Sequence, residues 1–281
     1  MKVRLGHSTD ADDAFLSHAL LAGEVSPGQF EFEHVTEDLQ TLNDRAARGE
    51  LEVTPISVHA YAYVRDKYLL GHCGAVFADR HGPMIVSRED LGDTSLENAV
   101  CAVPGTTSSA YLTVQLCKPR LRTMVLPRDK IIPAVKTGVV ACALLVEDDS
   151  HCCAKMGLHC LTDLGQWWAA RNAGDPLPLR CLAFRKDLPP EVRSKLEAIL
   201  AESARHALSH HAETTAAALR RKVCQDRCGN AADYELNAGP ASLDMGDRGK
   251  RIIEKFLAAG HQAGVIPNAL PLEFAATEPP V

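Results

Sequence analysis

Short apolar runs and amphipathic segments alternate along most of the chain. Residues 30–34 switch between apolar and polar side chains, which is typical of a half-buried strand. Residues 39–46 follow with apolar side chains at helical spacing, between a cap expected at Thr36 and a stop expected at Gly49. This alternation of strands and helices predicts an α/β protein with helices on both faces of a sheet.

The same reasoning predicts the other elements. Further strands are expected at 3–5, 53–58, 69–77, 84–86, 99–103, 123–126 and 139–146. Further helices are expected at 15–21, in a short segment ending at Tyr63, from the loop 104–109 to Leu116, from a cap at Asp129 to Gly138, after Pro189-Pro190, at 204–219 and at 249–261. A second unit begins near Leu91. We therefore expect two α/β lobes with a ligand cleft where strand ends meet helix starts.

The N-terminal segment Leu5-Gly6-His7-Ser8-Thr9-Asp10 resembles a strand that opens into a ligand-binding turn. Ser8 is expected to cap the following helix, whose first N–H groups lack partners within the helix. Asp10, Asp12 and Asp13 suit the positive end of that helix dipole. We therefore count Ser8 and Asp10 among the candidate binding residues.

Composition narrows the class of protein. The 281 residues are 46% hydrophobic and carry a formal net charge of −6, which argues against a nucleic-acid partner. No apolar run is long enough for a transmembrane helix, and the N-terminus lacks the apolar region of a signal peptide. We therefore expect a cytoplasmic protein without a membrane partner.

The ten cysteines mostly lie inside apolar runs, where a reduced cysteine behaves as a small hydrophobe. Neither the group around Cys152 and Cys160 nor the pair Cys224 and Cys228 has the paired spacing of a zinc site. We interpret them as free thiols and predict no metal.

Three loops that follow strands carry hydroxyl side chains: Ser8-Thr9, the loop at Ser57, and Gly105 to Ser109. Gly105 allows a ligand to approach the backbone, and the helix start behind Thr107, Ser108 and Ser109 attracts anions. A carboxylate or phosphate site is therefore predicted here. The alternative is a helix that is simply well capped.

Two further polar positions are open to two interpretations. Asn43 lies on the apolar stripe of its helix, where a buried structural hydrogen-bonder is the alternative to a ligand contact. Glu147 follows the strand 139–146, where a partly buried carboxylate with a raised pKa could serve as a general base. A solvated turn is the alternative. These residues alone do not separate an enzyme from a solute receptor.

Several ordered motifs resemble the 1,4-dihydroxy-6-naphthoate synthase family of the futalosine route to menaquinone. The resemblance runs from residue 3 to about residue 274. The matching motifs are Leu5-Gly6-His7-Ser8 with Asp10 to Phe15, Glu37-Asp38 with Thr41-Leu42-Asn43, Ser57 with Ala60-Tyr61, Ala102-Val103-Pro104-Gly105, Ser109-Ala110-Tyr111, Asp163-Leu164-Gly165 with Trp167-Trp168, Pro176-Leu177-Pro178-Leu179, and Ser242-Leu243-Asp244.

The resemblance implies a two-lobed, periplasmic-binding-protein-like (type II) fold with a central cleft. Lobe one would hold residues 1–90 and 181–281, and lobe two residues 91–180. It also implies a lyase without cofactors, acting on cyclic dehypoxanthinyl futalosine, a small-molecule carboxylate. A base removes a proton, the sugar-derived fragment is expelled, and the naphthoate ring becomes aromatic, so the protein supplies mainly positioning and one base.

The resemblance places Asn43, Ser57, Ser108 and Ser109 against the ligand, with the Gly105 loop holding its carboxylate. Two positions depart from the family pattern. Glu147 stands where the family usually carries a catalytic His, so Glu147, or His151 four residues on, would be the base. Arg180 replaces the usual Gly after Pro176-Leu177-Pro178-Leu179 and would close part of the cleft, pair with Glu147 or bind a substrate carboxylate.

These observations leave three alternative functions. The first is a lyase of this pathway, or a close homologue with an altered substrate. The second is a non-catalytic cytoplasmic receptor for an aromatic or small carboxylate, favoured by the missing His. The third is a thiol or metal sensor, suggested by the cysteines. The oligomeric state, a homodimer included, stays open.

Overall fold

The structure is a computed structural model that describes residues 1–79, 82–91, 96, 99–146, 148–151, 153–220 and 236–275; for Asp148 and His151 the description covers the backbone only. The strands are β1 Lys2–Ser8, β2 Glu31–Glu37, β3 Val53–Ser57, β4 Tyr68–Leu70, β5 Val76–Ala78, β6 Met84–Ser87, β7 Val100–Val103, β8 Arg122–Val125, β9 Cys142–Leu145, β10 His159–Asp163 and β11 Leu177–Arg185. The helices are α1 Ala11–Leu16, α2 His18–Ala22, α3 Leu39–Arg48, α4 Val58–Val64, α5 Ser109–Cys117, α6 Arg128–Lys136, α7 Asp148–His151, α8 Leu164–Arg171, α9 Pro190–Ser209, α10 His211–Arg220 and α11 Gly246–Gln262. A 3-10 turn spans Pro240–Ser242.

The strands form two sheets. The first has the order β2-β1-β3-β11-β4, and β5 also pairs with β11. The second has the order β10-β6-β9-β7-β8. Each sheet contains parallel pairs, such as β1 with β2 and β7 with β8, and each is completed by antiparallel strands. The predicted α/β class with two units is confirmed.

The chain passes between the sheets twice. β6 already pairs in the second sheet, and β11 is back in the first sheet from Leu177 onward. Both changes of sheet therefore occur several residues before the expected boundaries at residues 90 and 180, and the assignment of residues to lobes stays a prediction. Against β5, the register of β11 shifts between Pro178 and Arg180, as at a β-bulge.

The largest apolar cluster contains residues from both halves of the fold. It includes the fully buried Tyr61 and Tyr68 from the first-sheet side and Leu112 and Leu144 from the second-sheet side. Five cysteines expected in apolar surroundings are buried, as predicted: Cys73, Cys101, Cys142, Cys153 and Cys181. Across the described residues, we find no helix that combines the length and apolar character needed to cross a membrane.

Several element boundaries differ from the prediction. The helix expected at 15–21 is two short helices, α1 and α2, joined at Ser17. Asp10 rather than Ser8 caps α1, because Ser8 is still part of β1; the Asp10 carboxylate accepts the Asp13 N–H at 2.8 Å. Thr36 is likewise a strand residue, and Asp38 caps α3.

Two more predicted elements were wrong in detail. The strand expected at 69–77 is interrupted between β4 and β5 by a turn in which Gly74 has φ +75°. The helix expected to begin with a cap at Asp129 begins at Arg128, with Pro127 in the cap position. Gly49 ends α3 in the left-handed conformation, as predicted.

Candidate active site

A cleft lies where strands of both sheets end. β1 and β3 of the first sheet lead into it, and so do the segments that follow β7 and β9 of the second sheet. The residues that line it are Asp10, Asp12, Asp38, Leu39, Gln40, Ser57, Val76, Gly82, Pro83, Pro104, Ser108, Ser109, Ala110, Arg128, Val146, Ser150, Leu179, Arg180 and Asn237. Carboxyl ends of strands are the usual ligand position in α/β sheets.

A buried ion pair forms one wall of the cleft. The Arg180 guanidinium, on β11, donates through Nη1 to the Asp10 carboxylate, and both side chains are about 95% buried. Burial opposes the charge of Asp10, but Arg180 and the hydrogen bonds from Ser8 and Asp13 hold its pKa below the usual range. Nη2 of Arg180 is buried and has no hydrogen-bond partner among the described residues. The guanidinium therefore keeps one donor group for a further partner.

Asp12 lies beside this pair and is half-buried at the cleft. Its Oδ1 accepts the backbone N–H of Ala238 at 2.7 Å. Burial raises the pKa of Asp12 to about 6; Arg180 works against this rise and the negative charge of Asp10 adds to it. A carboxylate with such a pKa exchanges protons near neutral pH.

Asp13 points away from the cleft. Its Oδ2 accepts the backbone N–H of Ser8 at 3.0 Å and lies 3.5 Å from Nδ1 of His7. Nε2 of His7 is hydrogen-bonded to Nδ1 of His34 at 2.8 Å. Asp13 thus holds the end of β1 against the start of α1, while His34 reaches the surface.

A neutral hydrogen-bonded group, Gln40, Asn43, Ser57 and Thr107, joins the two sheets, and we call it the latch. Asn43 donates through Nδ2 to Oγ of Ser57 at 3.0 Å and to Oγ1 of Thr107 at 3.3 Å. Its Oδ1 accepts the Ser57 N–H at 2.9 Å. Oε1 of Gln40 accepts the hydroxyl of Thr107 at 3.0 Å. The latch ties α3 and β3 to the loop that follows β7.

Gly105 allows the Gln40 side chain to lie against the loop after β7. A Cβ placed on Gly105 would lie 2.0 Å from Oε1 of Gln40, so a side chain there would displace Gln40 from its contact with Thr107. Close approach of a ligand to Gly105 stays a prediction.

The hydroxyls of Ser108 and Ser109 have different surroundings. Ser108 caps α5 by accepting the Tyr111 N–H at 3.1 Å, which leaves the hydroxyl proton available to a ligand in the cleft. Ser109 donates to the carbonyl of Leu179 at 2.6 Å and accepts the His59 N–H at 3.3 Å. Ser109 is therefore occupied in joining α5 to β11.

His59 is buried next to the cap of α5. Its Nδ1 lies 3.0 Å from the Ser108 carbonyl, so that nitrogen carries the proton and Nε2 is a buried acceptor without a partner. Burial lowers the pKa of His59 to about 4, and the hydrogen bond to Ser108 opposes this only in part. The ring is therefore neutral at pH 7, and its contacts are those of a structural residue.

The second sheet contributes another guanidinium. Arg128, at the start of α6, lines the cleft and donates through Nε to Oδ2 of Asp149 at 2.9 Å. Val146 and Ser150 line the same side. The two residues predicted as base are not placed: Glu147 lies outside the described residues, and only the backbone of His151, in α7, is described.

The structure brings together part of the predicted binding set. Asp10, Ser57, Ser108, Ser109 and Arg180 line the cleft. The other four predicted residues lie just behind it: Ser8 at the end of β1, Asn43 and Thr107 in the latch, and Gly105 against Gln40.

Two residues of this region are not predicted from the sequence. Gln40 lies near the start of α3 and carries no periodic or motif signal of its own. Arg128 lies one residue before Asp129, the predicted cap, and no motif surrounds it. For Asp12 the sequence predicts only an interaction with the helix dipole.

Two α/β sheets that enclose a cleft at their strand ends define the class of two-lobed, periplasmic-binding-protein-like folds. The alkanesulfonate-binding protein SsuA from Xanthomonas axonopodis pv. citri shares this fold, with a TM-score of 0.67, 13% identity and 95% of each chain covered. The chain belongs to the menaquinone-biosynthesis family, whose sequence model matches residues 3–262.

Relatives within the family are similar over nearly their whole length. A 1,4-dihydroxy-6-naphthoate synthase from Thermus thermophilus is 32% identical over 96% of this chain and 98% of its own. The synthase of the same name from Streptomyces coelicolor is 27% identical over 94% and 95%. A crystal structure of a protein from Archaeoglobus fulgidus has a TM-score of 0.84 and 34% identity, covering 94% of this chain and 98% of that one.

Proposed function

We propose that this protein is a lyase that converts cyclic dehypoxanthinyl futalosine into 1,4-dihydroxy-6-naphthoate. The observation that carries the proposal is a cleft whose wall holds a buried guanidinium with an unpartnered nitrogen, in a chain that matches two synthases over nearly its full length. A buried donor without a partner is costly, and a substrate oxygen would satisfy it.

The proposed chemistry begins with removal of a proton from the substrate. The sugar-derived fragment then leaves, and aromatisation of the ring supplies the driving force. Positioning by the cleft and one base are sufficient for such a reaction, so no cofactor is needed. Glu147 and His151 remain the bases that the sequence predicts.

Two features suit a substrate carboxylate. Ser108 stands at the start of α5, a helix of nine residues, where the helix dipole and the hydroxyl proton favour an anion. Arg180 offers Nη2 from the opposite wall. We propose that Ser108 and Arg180 together bind the anionic and carbonyl oxygens of one substrate molecule. We also propose that the protein acts in the cytoplasm.

Turnover of cyclic dehypoxanthinyl futalosine by the purified protein tests the proposal, with the naphthoate product followed by fluorescence. Product formation that falls in Glu147→Gln but not in the exposed control Glu89→Gln would support the lyase and the predicted base. Substrate binding without product would contradict it and favour a carboxylate receptor on the same fold.

A further inference from the structure

We infer that Asp12 and Arg180 act as one proton-transfer pair: Asp12 removes the proton from the carbon beside a ring carbonyl, and Arg180 stabilises the oxygen that becomes negative. This inference rests on the proposed function and names the residues that would perform its first step. It assigns to the wall formed by Asp10, Asp12 and Arg180 the catalytic role that the family resemblance predicts for Glu147.

The described carboxylates on the cleft wall are not equivalent. Asp10 is held by Arg180, and both oxygens of Asp38 are engaged by the backbone N–H and the hydroxyl of Thr41. Among the described residues, Asp12 has no ion-pair partner at hydrogen-bond distance, and its carboxylate is oriented by the backbone of Asn237 and Ala238. Asp12 is therefore the carboxylate of this wall that is oriented and yet available as a base.

Arg180 supplies the second half of the pair. Its position is over-determined, because Nη1 is bound to Asp10 and its backbone is paired with Ser57 across the sheet. In the part of the chain that the structure describes, Nη2 has no partner although the side chain is only 4% exposed. A donor that is fixed in place before the substrate binds needs no reorganisation when charge develops on an oxygen.

The proposed step balances without a further reactant. The C–H bond breaks and its proton moves to the Asp12 carboxylate. The electron pair of that bond becomes a ring C=C bond, and the carbonyl electrons move to oxygen, where Arg180 stabilises the charge. Return of the proton to that oxygen gives an enol hydroxyl on the ring and restores the Asp12 carboxylate; the bond to the sugar-derived fragment breaks in the later step that makes the ring aromatic.

The electrostatics agree with this geometry. Burial raises the pKa of Asp12 to about 6, so the group is mostly ionised at pH 7 yet more basic than an ordinary aspartate. The charged groups that face it are Asp10 and Arg180, with Asp13 on the same helix. On the packed helix α10, His211 contacts the ring of Phe15.

The first test compares Asp12→Asn with the matched control Asp66→Asn, an exposed residue after α4. We expect kcat of Asp12→Asn to fall by about 100-fold or more with KM changed little, and the acidic limb of the pH profile near pH 6 to disappear. Asp12→Glu should restore part of the activity. Asp66→Asn should behave as wild type.

Three results would overturn the inference. One is an Asp12→Asn variant that keeps kcat within about twofold of wild type. The second is an acidic limb that persists in Asp12→Asn and vanishes in Glu147→Gln. The third is an Arg180→Lys variant, which keeps a cation beside Asp10, with unchanged kcat. If the wild-type protein gives no product, the proposed function is wrong, and the inference about Asp12 and Arg180 is wrong with it.

Discussion

The two sides of the cleft hold their polar groups in opposite ways. The wall formed by Asp10, Asp12 and Arg180 is charged, has one buried ion pair and leaves a guanidinium nitrogen unsatisfied. The latch around Asn43 is neutral. Both the amide nitrogen and the amide oxygen of the Asn43 side chain are hydrogen-bonded to partners in β3 or the loop after β7. A satisfied neutral network fixes the shape of the cleft, whereas an unsatisfied charged wall is suited to chemistry.

Breaking the ion pair should have the largest effect. Arg180→Ala leaves the Asp10 carboxylate buried without a counter-charge, and we expect a loss of about 3 to 5 kcal/mol in the free energy of unfolding, measured by urea denaturation at pH 7. The double variant Asp10→Ala with Arg180→Ala should recover much of this loss. If Arg180→Ala is as stable as wild type, then Arg180 is not needed to balance the charge of Asp10.

Disrupting the latch should have the second-largest effect on stability. Asn43→Ala removes three hydrogen bonds and leaves the buried N–H of Ser57 unpaired, so we expect a loss of about 2 to 3 kcal/mol. Asn172→Ala, which removes a single side-chain bond to the Trp168 carbonyl, serves as the control and should cost less. Equal losses in the two variants would contradict the idea that the latch is a connected network.

Asp12→Asn should raise stability while it lowers activity. In the folded protein the pKa of Asp12 is about 6, above the ordinary value of 3.8, so ionisation in the cleft costs free energy at pH 7. We therefore expect a gain of about 1 to 2 kcal/mol at pH 7, which shrinks as pH falls from 6 and is absent below pH 3.8, where both states are protonated. Urea curves at pH 7 and pH 3.5 measure it, and a gain of equal size at both values would point to packing instead of charge.

Loosening the crossing at Gly105 should have the smallest effect on stability. Gln40→Ala removes the acceptor for the Thr107 hydroxyl, and we expect a loss of about 0.5 to 1 kcal/mol together with a higher KM, because the two sheets are held less firmly around the substrate. Gln262→Ala, at the exposed end of α11, is the control. A change in kcat with KM unchanged would contradict a role in closure.

The sequence indicated the architecture well but not the contacts within it. Period-two and helical patterns located most elements, because each buries one face against a sheet. The predicted helix caps were the least accurate part: Ser8 and Thr36 were predicted to cap helices, but Ser8 is the last residue of β1 and Thr36 is the second-last residue of β2. The length of a strand depends on pairing partners far away in the chain. Asp10 and Asp38 cap instead.

The same limit applies to the site. The loop 105–109 and Arg180 were predicted as site residues from their residue types alone, because hydroxyl and guanidinium groups can bind a ligand in any fold. The pairing of Arg180 with Asp10 joins residues 170 positions apart, so nothing local could select it over the expected partner Glu147. The variants Asp12→Asn and Glu147→Gln test which of these two residues removes the proton.

The register shift of β11 before Arg180 has a consequence for how such a protein can change over time. A bulge sets the direction of one side chain without moving the strands on either side. The side chain at position 180 can therefore change while the sheet stays in place, but its charge is tied to Asp10. Selection or a protein engineer would have to replace Asp10 together with Arg180, because either charge alone would be buried without a partner.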